Sequence, residues 1–234
     1  MLPSLIPPPY RNHILTLCRP IRKPSALVGL VDSASPPRTN LSARTSSDSF
    51  CTSICDLQEK FRPAIHEYPR IISTTQKLLR AASILKIPVF ATTQQRAKLG
   101  ETCPELGLDT THPTAAHVDK SAFSMWVPEI EEALKALPQQ PVDTIKDTTV
   151  KKRPFDVIVV GIETHICVLQ TSLDMLAMGH RVWVVQDAVS SCNREERDVA
   201  LQRLRQEGAR VTTSESLIYE IMGDAKDEGY VLES

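Results

Sequence analysis

The sequence predicts an α/β fold of three layers, in which helices cover both faces of a mostly parallel, Rossmann-like sheet of about six strands. From residue 51 onward, short apolar segments alternate with longer segments of helical periodicity. The strongest apolar segment, at residues 157–160, consists of valine and isoleucine and ends at Gly161, which is typical of a buried central strand. This alternation favours a parallel sheet, because each helix returns the chain to the same end of the sheet.

The individual elements follow from local patterns in chain order. Strands are predicted where short apolar segments end at a polar or turn residue, at residues 51–55, 88–92, 115–118, 157–160, 181–185 and 209–212. Helices are predicted where apolar residues recur every three or four positions, at residues 69–86, 128–137, 166–177, 193–208 and 215–222. Asn193 followed by Glu196 predicts a capping box, and the polar residues 139–154 are expected to form a surface insertion.

The first 50 residues differ in composition from the rest of the chain. They contain eight of the 17 prolines, six basic residues and only two acidic residues, Asp32 and Asp48. We therefore expect residues 1–50 to be a disordered or irregular extension, residues 51–225 to be the folded domain and residues 226–234 to be a tail. The composition also leaves a mitochondrial transit peptide open, although prolines oppose an amphipathic targeting helix.

Charge, hydropathy and cysteine content narrow the range of functions. The formal net charge of -1 gives no electrostatic case for nucleic acid or an anionic membrane as a partner. No apolar run approaches the roughly 20 residues that a membrane-spanning helix needs. The six cysteines show neither a repeated metal-ligand spacing nor a small-domain disulfide pattern. Reduced thiols and a cytoplasmic location are therefore expected, with a mitochondrial location as the alternative.

Three reactive side chains follow predicted strands: Asp56, Lys120 and Cys167. The carboxyl ends of parallel strands share one edge of the sheet, so these side chains are expected to converge there. Cys167 is also placed in the first turn of a helix, where the helix dipole and unpaired N–H groups favour a thiolate. A carboxylate beside a thiol can take its proton and pass it to a leaving group, and a nearby ammonium lowers the thiol pKa.

Each of these residues also has an ordinary structural explanation. A lone cysteine in a helix is usually a small buried apolar residue. A lone aspartate at a strand end usually stabilises a turn, and a lone lysine is usually a solvated surface charge. The catalytic hypothesis therefore depends on the shared position of the three residues at one edge of the sheet.

Asp32 competes with Asp56 for the role of base. Residues 26–32 have a better strand composition than residues 51–55, and they too end in an aspartate. Joining residues 26 and 27 directly to residue 54 would give a smoother strand. We therefore hypothesise that the polar residues 28–53 are an insertion, for example from a gene-model error.

Aromatic and histidine side chains near the predicted site have less defined roles. Phe61 and Phe123 are candidates for the apolar walls of a substrate pocket, and Trp126 is equally well explained as a core or interface residue. His165 borders the candidate nucleophile, but a cysteine–histidine dyad requires a spatial geometry that the sequence does not give. His117 is expected to be structural or exposed.

Three segments carry a resemblance to a known family. GIETHICVLQT at residues 161–171 resembles the nucleophile motif of isochorismatase-like cysteine hydrolases. DLQEKF at residues 56–61 and KSAFS at residues 120–124 resemble the aspartate and lysine segments of the same family, in the same order. The resemblance covers about residues 51–225 and is strongest to the isochorismatase domain-containing branch.

The resemblance implies a catalytic triad. In it, Asp56 is the general base, Lys120 its electrostatic partner and Cys167 the nucleophile. The family also has a cis peptide before the position that matches Glu163. The backbone N–H groups of Glu163 and Cys167 would then form an oxyanion hole.

Two departures from the family pattern refine the predicted function. Nicotinamidases of this superfamily bind a metal through an aspartate and paired histidines after the second strand, whereas residues 92–97 contain no histidine. True isochorismatases lack the nucleophilic cysteine. We therefore predict a cysteine-dependent hydrolase of a small amide or related C–N compound, without metal or cofactor, which by resemblance forms a homo-oligomer. The alternatives are a non-catalytic scaffold of the same fold and a redox-sensing thiol protein, which would need a resolving cysteine.

Overall fold

A computed structural model describes residues 49–138 and 154–224 of the chain. The strands are β1 (Phe50–Cys55), β2 (Val89–Gln94), β3 (Ala116–Lys120), β4 (Asp156–Ile162), β5 (Arg181–Ser190) and β6 (Arg210–Thr212). The helices are α1 (Tyr68–Ile84), α2 (Arg96–Leu99), α3 (Pro128–Ala136), α4 (Leu169–Ala177), α5 (Arg194–Gln206) and α6 (Ser214–Met222). One π-helical turn, Thr164–Val168, leads directly into α4.

The six strands form one sheet in the order β3-β2-β1-β4-β5-β6, and every neighbouring pair is parallel. The predicted fold class is confirmed. The chain moves outward from β1 through β2 to β3, and then returns to the other side of β1 as β4. A crevice opens outside the carboxyl ends of the strands at such a reversal, which is where open α/β sheets bind ligands.

Two apolar clusters lie on the two faces of the sheet. Alternate residues of each central strand point to opposite faces, so that in β1 Phe50 and Ile54 join one cluster while Cys51 and Cys55 join the other. Helices α1 and α6 cover the first face, and α3, α4 and α5 contribute apolar side chains to the second. This arrangement is the predicted three-layer architecture.

Some local features differ from the expectations. The Asn193 side chain makes no capping hydrogen bond, so the predicted capping box at α5 is wrong. At α6 the Thr213 side chain accepts the Ser216 N–H, a cap that the sequence analysis missed. Strand β5 continues to Ser190, beyond its predicted end at residue 185, and its pairing with β4 resumes after a shift in register.

Strand β1 ends immediately before Asp56, as predicted, and all of its residues are buried. Residues 50–53, which belong to the hypothesised insertion, therefore form part of the central sheet. Asp32, the rest of that stretch, residues 139–153 and the tail lie outside the described residues, so the domain boundaries stay predictions. Within the described ranges, no helix is both long and apolar enough to cross a membrane.

Gly161 allows β1 and β4 to approach closely at the edge where the candidate site lies. It stands opposite Cys55 in the sheet register and has a φ of 109°. A Cβ atom added at Gly161 would lie 2.1 Å from the Cys55 carbonyl oxygen, which is far inside van der Waals contact. Glycine is therefore required here both for its positive φ and for the space that it leaves.

We predict that Gly161→Ala lowers the free energy of unfolding by about 3 kcal/mol or more, because it combines a backbone clash with an unfavourable φ. Gly208→Ala is the matched control, since Gly208 has a φ of 99° but no atom near the added Cβ. The control should cost about 1–2 kcal/mol. Urea unfolding of both variants measures the difference, and equal losses would contradict the steric argument.

Candidate active site

The structure brings the predicted triad together at the carboxyl edge of the sheet. Asp56 follows β1, Lys120 ends β3, and Cys167 lies in the π-helical turn after β4. Lys120 Nζ lies 2.8 Å from Asp56 Oδ2, and the two side chains are only 1% and 2% exposed. The Asp56 carboxylate also acts on the Cys167 thiol, both through its charge and as a hydrogen-bond acceptor. Asp56 therefore connects the other two members of the triad.

Lys120 reaches Asp56 across an intervening strand, because β2 separates β3 from β1. Two strand spacings amount to roughly 9.6 Å, so a long side chain is needed at this position. Lys120 Nζ also donates to Gln94 Oε1 at 2.7 Å and to the carbonyl oxygens of Ala122 at 3.1 Å and Phe123 at 3.2 Å. The ammonium is thus surrounded by oxygen acceptors, which offset part of the cost of its burial.

Strand β2 supplies two site residues that the sequence analysis missed. Thr92 Oγ1 donates to Asp56 Oδ1 at 2.8 Å, and Gln94 accepts from Lys120. Gln58 in turn fixes Gln94, since Gln58 Oε1 accepts the Gln94 N–H at 2.7 Å. The sequence signal for these residues was that Thr92 and Gln94 are polar positions at the end of a strand. A polar side chain that is buried there needs a hydrogen-bond partner.

The Cys167 thiol is not set up as a thiolate in the resting site. Burial raises its pKa, the Asp56 carboxylate raises it further, and Lys120 lowers it only in part. The expectation that the start of the helix favours a thiolate took account of neither burial nor this carboxylate, and both act against it.

The nucleophile's turn is attached to the segment after β5. Glu163 Oε2 accepts the Cys192 N–H at 2.9 Å, and His165 Nδ1 lies 3.0 Å from Ser191 Oγ. The Ile162–Glu163 peptide bond is cis, as the family resemblance implied. His165 is thus engaged with Ser191, whereas the Asp56 carboxylate raises the pKa of the Cys167 thiol.

The remaining predicted residues occupy varied positions. Phe61 packs against the apolar cluster under α1, whereas the Phe123 side chain is exposed. Trp126 packs against the opposite cluster, and its ring lies 6.1 Å from that of His180. His117 has a structural role, because its ring contacts Asp109 and Thr102. The pocket roles of Phe61 and Phe123 stay predictions.

The region where related enzymes hold a metal contains a closed amide network in this chain. The Gln94 side chain accepts from Lys120 and donates to the Ser121 carbonyl at 2.8 Å, so both of its polar atoms are used. Elsewhere in the described residues, Glu59, Cys103 and Glu105 lie close enough to share an ion. Arg62, however, contacts Glu59 at 2.6 Å and Glu105 at 2.5 Å, which makes this cluster an ion-pair network.

Comparison with known proteins matches residues 52–216 to the isochorismatase domain. Isochorismatase domain-containing protein 2 of Xenopus laevis is 40% identical over 173 residues, which are 74% of this chain and 76% of that protein. The solved structure of a MAR1 ribonuclease from Caenorhabditis elegans is 39% identical, with a TM-score of 0.69 over 81% of this chain and 89% of that one. YcaC of Escherichia coli, described as an octameric hydrolase of unknown specificity, has a TM-score of 0.66 over 80% and 85% of the two chains. At 22% identity, this similarity shows only that the two chains share a fold.

We predict that Asp56→Asn lowers the pKa of the Cys167 thiol, because it removes the anion that raises this pKa and leaves Lys120 in place. Alkylation of Cys167 by iodoacetamide at pH 8 should then be at least about threefold faster than in the wild type, since more thiolate is present. The measurement is the pH dependence of alkylation, followed by mass spectrometry of the Cys167 peptide.

Asp119→Asn is the control for this experiment. Asp119 lies beside Lys120 at the carboxyl end of β3, but its carboxylate accepts from the Thr93 hydroxyl and the Arg96 N–H. Its alkylation profile should match that of the wild type, and circular dichroism should show that both variants are folded. Slower alkylation in Asp56→Asn would contradict the prediction.

Proposed function

Because the chain belongs to the isochorismatase family, we propose that it is a cysteine-dependent hydrolase of a small amide or related C–N compound, with Asp56, Lys120 and Cys167 as its catalytic residues. The observation that carries this proposal is the position of one buried carboxylate between a thiol and an ammonium. A general base must lie within reach of the proton that it removes, and Asp56 meets this requirement.

The first half of the reaction forms a covalent intermediate. Asp56 removes the proton from Cys167 Sγ as the sulfur attacks the substrate carbonyl carbon. The carbonyl oxygen becomes an oxyanion, which the backbone N–H groups of Glu163 and Cys167 would stabilise. The C–N bond then breaks, the leaving nitrogen takes the proton from Asp56, and a thioester remains on Cys167.

The second half releases the product. Asp56, again unprotonated, removes a proton from a water molecule that attacks the thioester carbonyl. The C–S bond breaks, a carboxylic acid leaves, and the sulfur recovers its proton from Asp56. Lys120 keeps the Asp56 carboxylate oriented through their ion pair, and no metal or cofactor is needed in either half.

Two further parts of the proposal concern the surroundings of the site. Phe61 and Phe123 would contribute apolar walls for a small substrate. The Phe123 side chain is exposed, and its backbone carbonyl accepts from Lys120, which supports a position for Phe123 near the catalytic residues. A homo-oligomer is consistent with the octameric state named for YcaC.

Experiments can distinguish two other functions from amide hydrolysis. A non-catalytic scaffold would keep the fold without a reactive Cys167. RNA cleavage is the activity named for the Caenorhabditis elegans relative, but the net charge of -1 in this chain does not favour binding of a polyanion. Both alternatives can be examined with the protein used for amide hydrolysis.

We predict that Cys167→Ala and Cys167→Ser abolish hydrolysis of any amide that the wild type cleaves, because neither side chain supplies a thiol nucleophile. Release of ammonia or amine from a panel of small amides measures turnover. Cys103→Ser is the control, since Cys103 contacts the Tyr68 hydroxyl rather than the triad. The control should retain wild-type turnover within about threefold, because Ser can keep that contact.

Activity within about tenfold of the wild type in either Cys167 variant would exclude this residue as the nucleophile. Cleavage of labelled RNA by the wild type but not by Cys167→Ala would show that the substrate is RNA rather than a small amide. If the wild type cleaves neither an amide of the panel nor RNA, the scaffold function is favoured.

We also predict that chelators leave turnover unchanged, because the polar atoms of Gln94 are already bound by protein groups. The measurement compares turnover before and after dialysis against EDTA, together with metal analysis of the protein. A stoichiometric metal that is lost together with the activity would contradict this expectation.

A further inference from the structure

Two side chains at the start of the turn that carries Cys167 bind consecutive residues after β5. Glu163 Oε2 accepts the Cys192 N–H at 2.9 Å, and His165 Nδ1 lies 3.0 Å from Ser191 Oγ. The Glu163 side chain is only 16% exposed, so its carboxylate is largely removed from water. The turn is therefore attached to this segment at two points, one of which is a charge-assisted hydrogen bond.

The segment that receives these contacts is itself held from the other side. Ser190 Oγ donates to the His66 carbonyl oxygen at 2.6 Å, and the His66 N–H donates to the Ser191 carbonyl oxygen at 3.1 Å. Residue 66 lies just before α1, and Ser190 and Ser191 are buried. Cys192 thus belongs to a segment that is fixed to the body of the domain, and Glu163 binds to a rigid support.

The main chain of Glu163 takes part in the turn that carries the nucleophile. Its carbonyl oxygen accepts the N–H groups of Ile166 at 3.0 Å and Val168 at 3.2 Å. The side chain of Glu163 binds the segment after β5, so this residue connects that segment to the turn that carries Cys167.

We propose that Glu163 is a positioning residue, whose carboxylate binds the Cys192 N–H and thereby fixes the Glu163 main-chain N–H in the direction of the developing oxyanion. This inference rests on the proposed function, in which that N–H is an oxyanion donor. Donors of this kind act because they are already oriented before the charge develops. Without the carboxylate contact, the peptide can rotate and the donor loses its alignment, while the thiol and its base stay in place.

The test compares two reactions of Cys167 that need no knowledge of the natural substrate. In acylation by p-nitrophenyl acetate, the sulfur attacks the acetyl carbonyl, its oxygen becomes an oxyanion, and p-nitrophenolate leaves. In alkylation by iodoacetamide, the sulfur displaces iodide and no oxyanion forms. The ratio of the two rate constants at Cys167, measured by peptide mass spectrometry, reports stabilisation of the oxyanion separately from reactivity of the thiol.

Glu163→Ala should lower this ratio by about tenfold or more, while alkylation alone changes by less than about threefold. Glu163→Gln should retain most of the ratio, because its amide oxygen can accept the same N–H. Glu163→Asp keeps the charge but has a side chain one methylene shorter, so its ratio should fall towards the alanine value. If the alanine variant does not fold, the aspartate variant serves as the test. Asp187→Ala is the matched control, since Asp187 accepts the main-chain N–H of Ser214 at another helix start.

The possible outcomes are distinct. An unchanged ratio in Glu163→Ala, or in Glu163→Asp if the alanine variant does not fold, would overturn the positioning role and leave the proposed function intact. A glutamine variant as impaired as the alanine variant would also overturn it, because the charge rather than the acceptor would then matter. If Cys167 of the wild type is acylated no faster than N-acetylcysteine, the proposed function itself fails, and the positioning role fails with it.

Discussion

The buried ion pair between Asp56 and Lys120 is the interaction on which the rest of the site depends. Removing two charges from water costs several kcal/mol for each ion, so such a pair persists only where further hydrogen bonds surround it. The chain supplies them from strand β2 and the segment after β3: on β2, Thr92 binds the carboxylate and Gln94 binds the ammonium, and the carbonyl groups of Ala122 and Phe123 also accept from Lys120. Gln58, which contacts neither charge, fixes Gln94 in turn. Much of the polar content of this sheet edge is therefore explained by the need to hold one carboxylate in one orientation.

This arrangement also acts on the Cys167 thiol. Burial and the Asp56 carboxylate raise the pKa of this thiol, and the Lys120 ammonium lowers it in part. In the proposed reaction, the carboxylate that raises this pKa is also the group that takes the thiol proton and returns it to the leaving group.

The other half of the site depends on a close approach of β1 and β4. Gly161 lets the two strands meet without a side chain between them, and the nucleophile's turn begins directly afterwards. Segment 190–192, attached both to that turn and to residue 66, then fixes the turn from the opposite side. Asp56 and Cys167 are thus held by different partners, Asp56 by residues of β2 and β3 and the turn that carries Cys167 by segment 190–192.

Sequence reasoning identified the fold and the three candidate site residues at one edge of the sheet, but not the side chains that hold them there. Strand periodicity and the motifs at residues 56–61, 120–124 and 161–171 are local signals, and they predicted the layers, the strand ends and the triad. Thr92 and Gln94 were missed because their significance lies in which strand separates β3 from β1. That order is a property of the sheet and not of the segment.

The sequence by itself determined the three-layer class, the strands that lead to Asp56 and Lys120, and the helical segment around Cys167. These features could be predicted because hydrophobic periodicity is a pattern of residues close together in the sequence. Only the tertiary structure decided the burial of the thiol beside Asp56, the partners of Lys120 and the attachment of Glu163 to Cys192. These features depend on distances between residues far apart in the chain. The helix start alone favours a thiolate, whereas burial and the Asp56 carboxylate at the end of another strand both raise the pKa of this thiol.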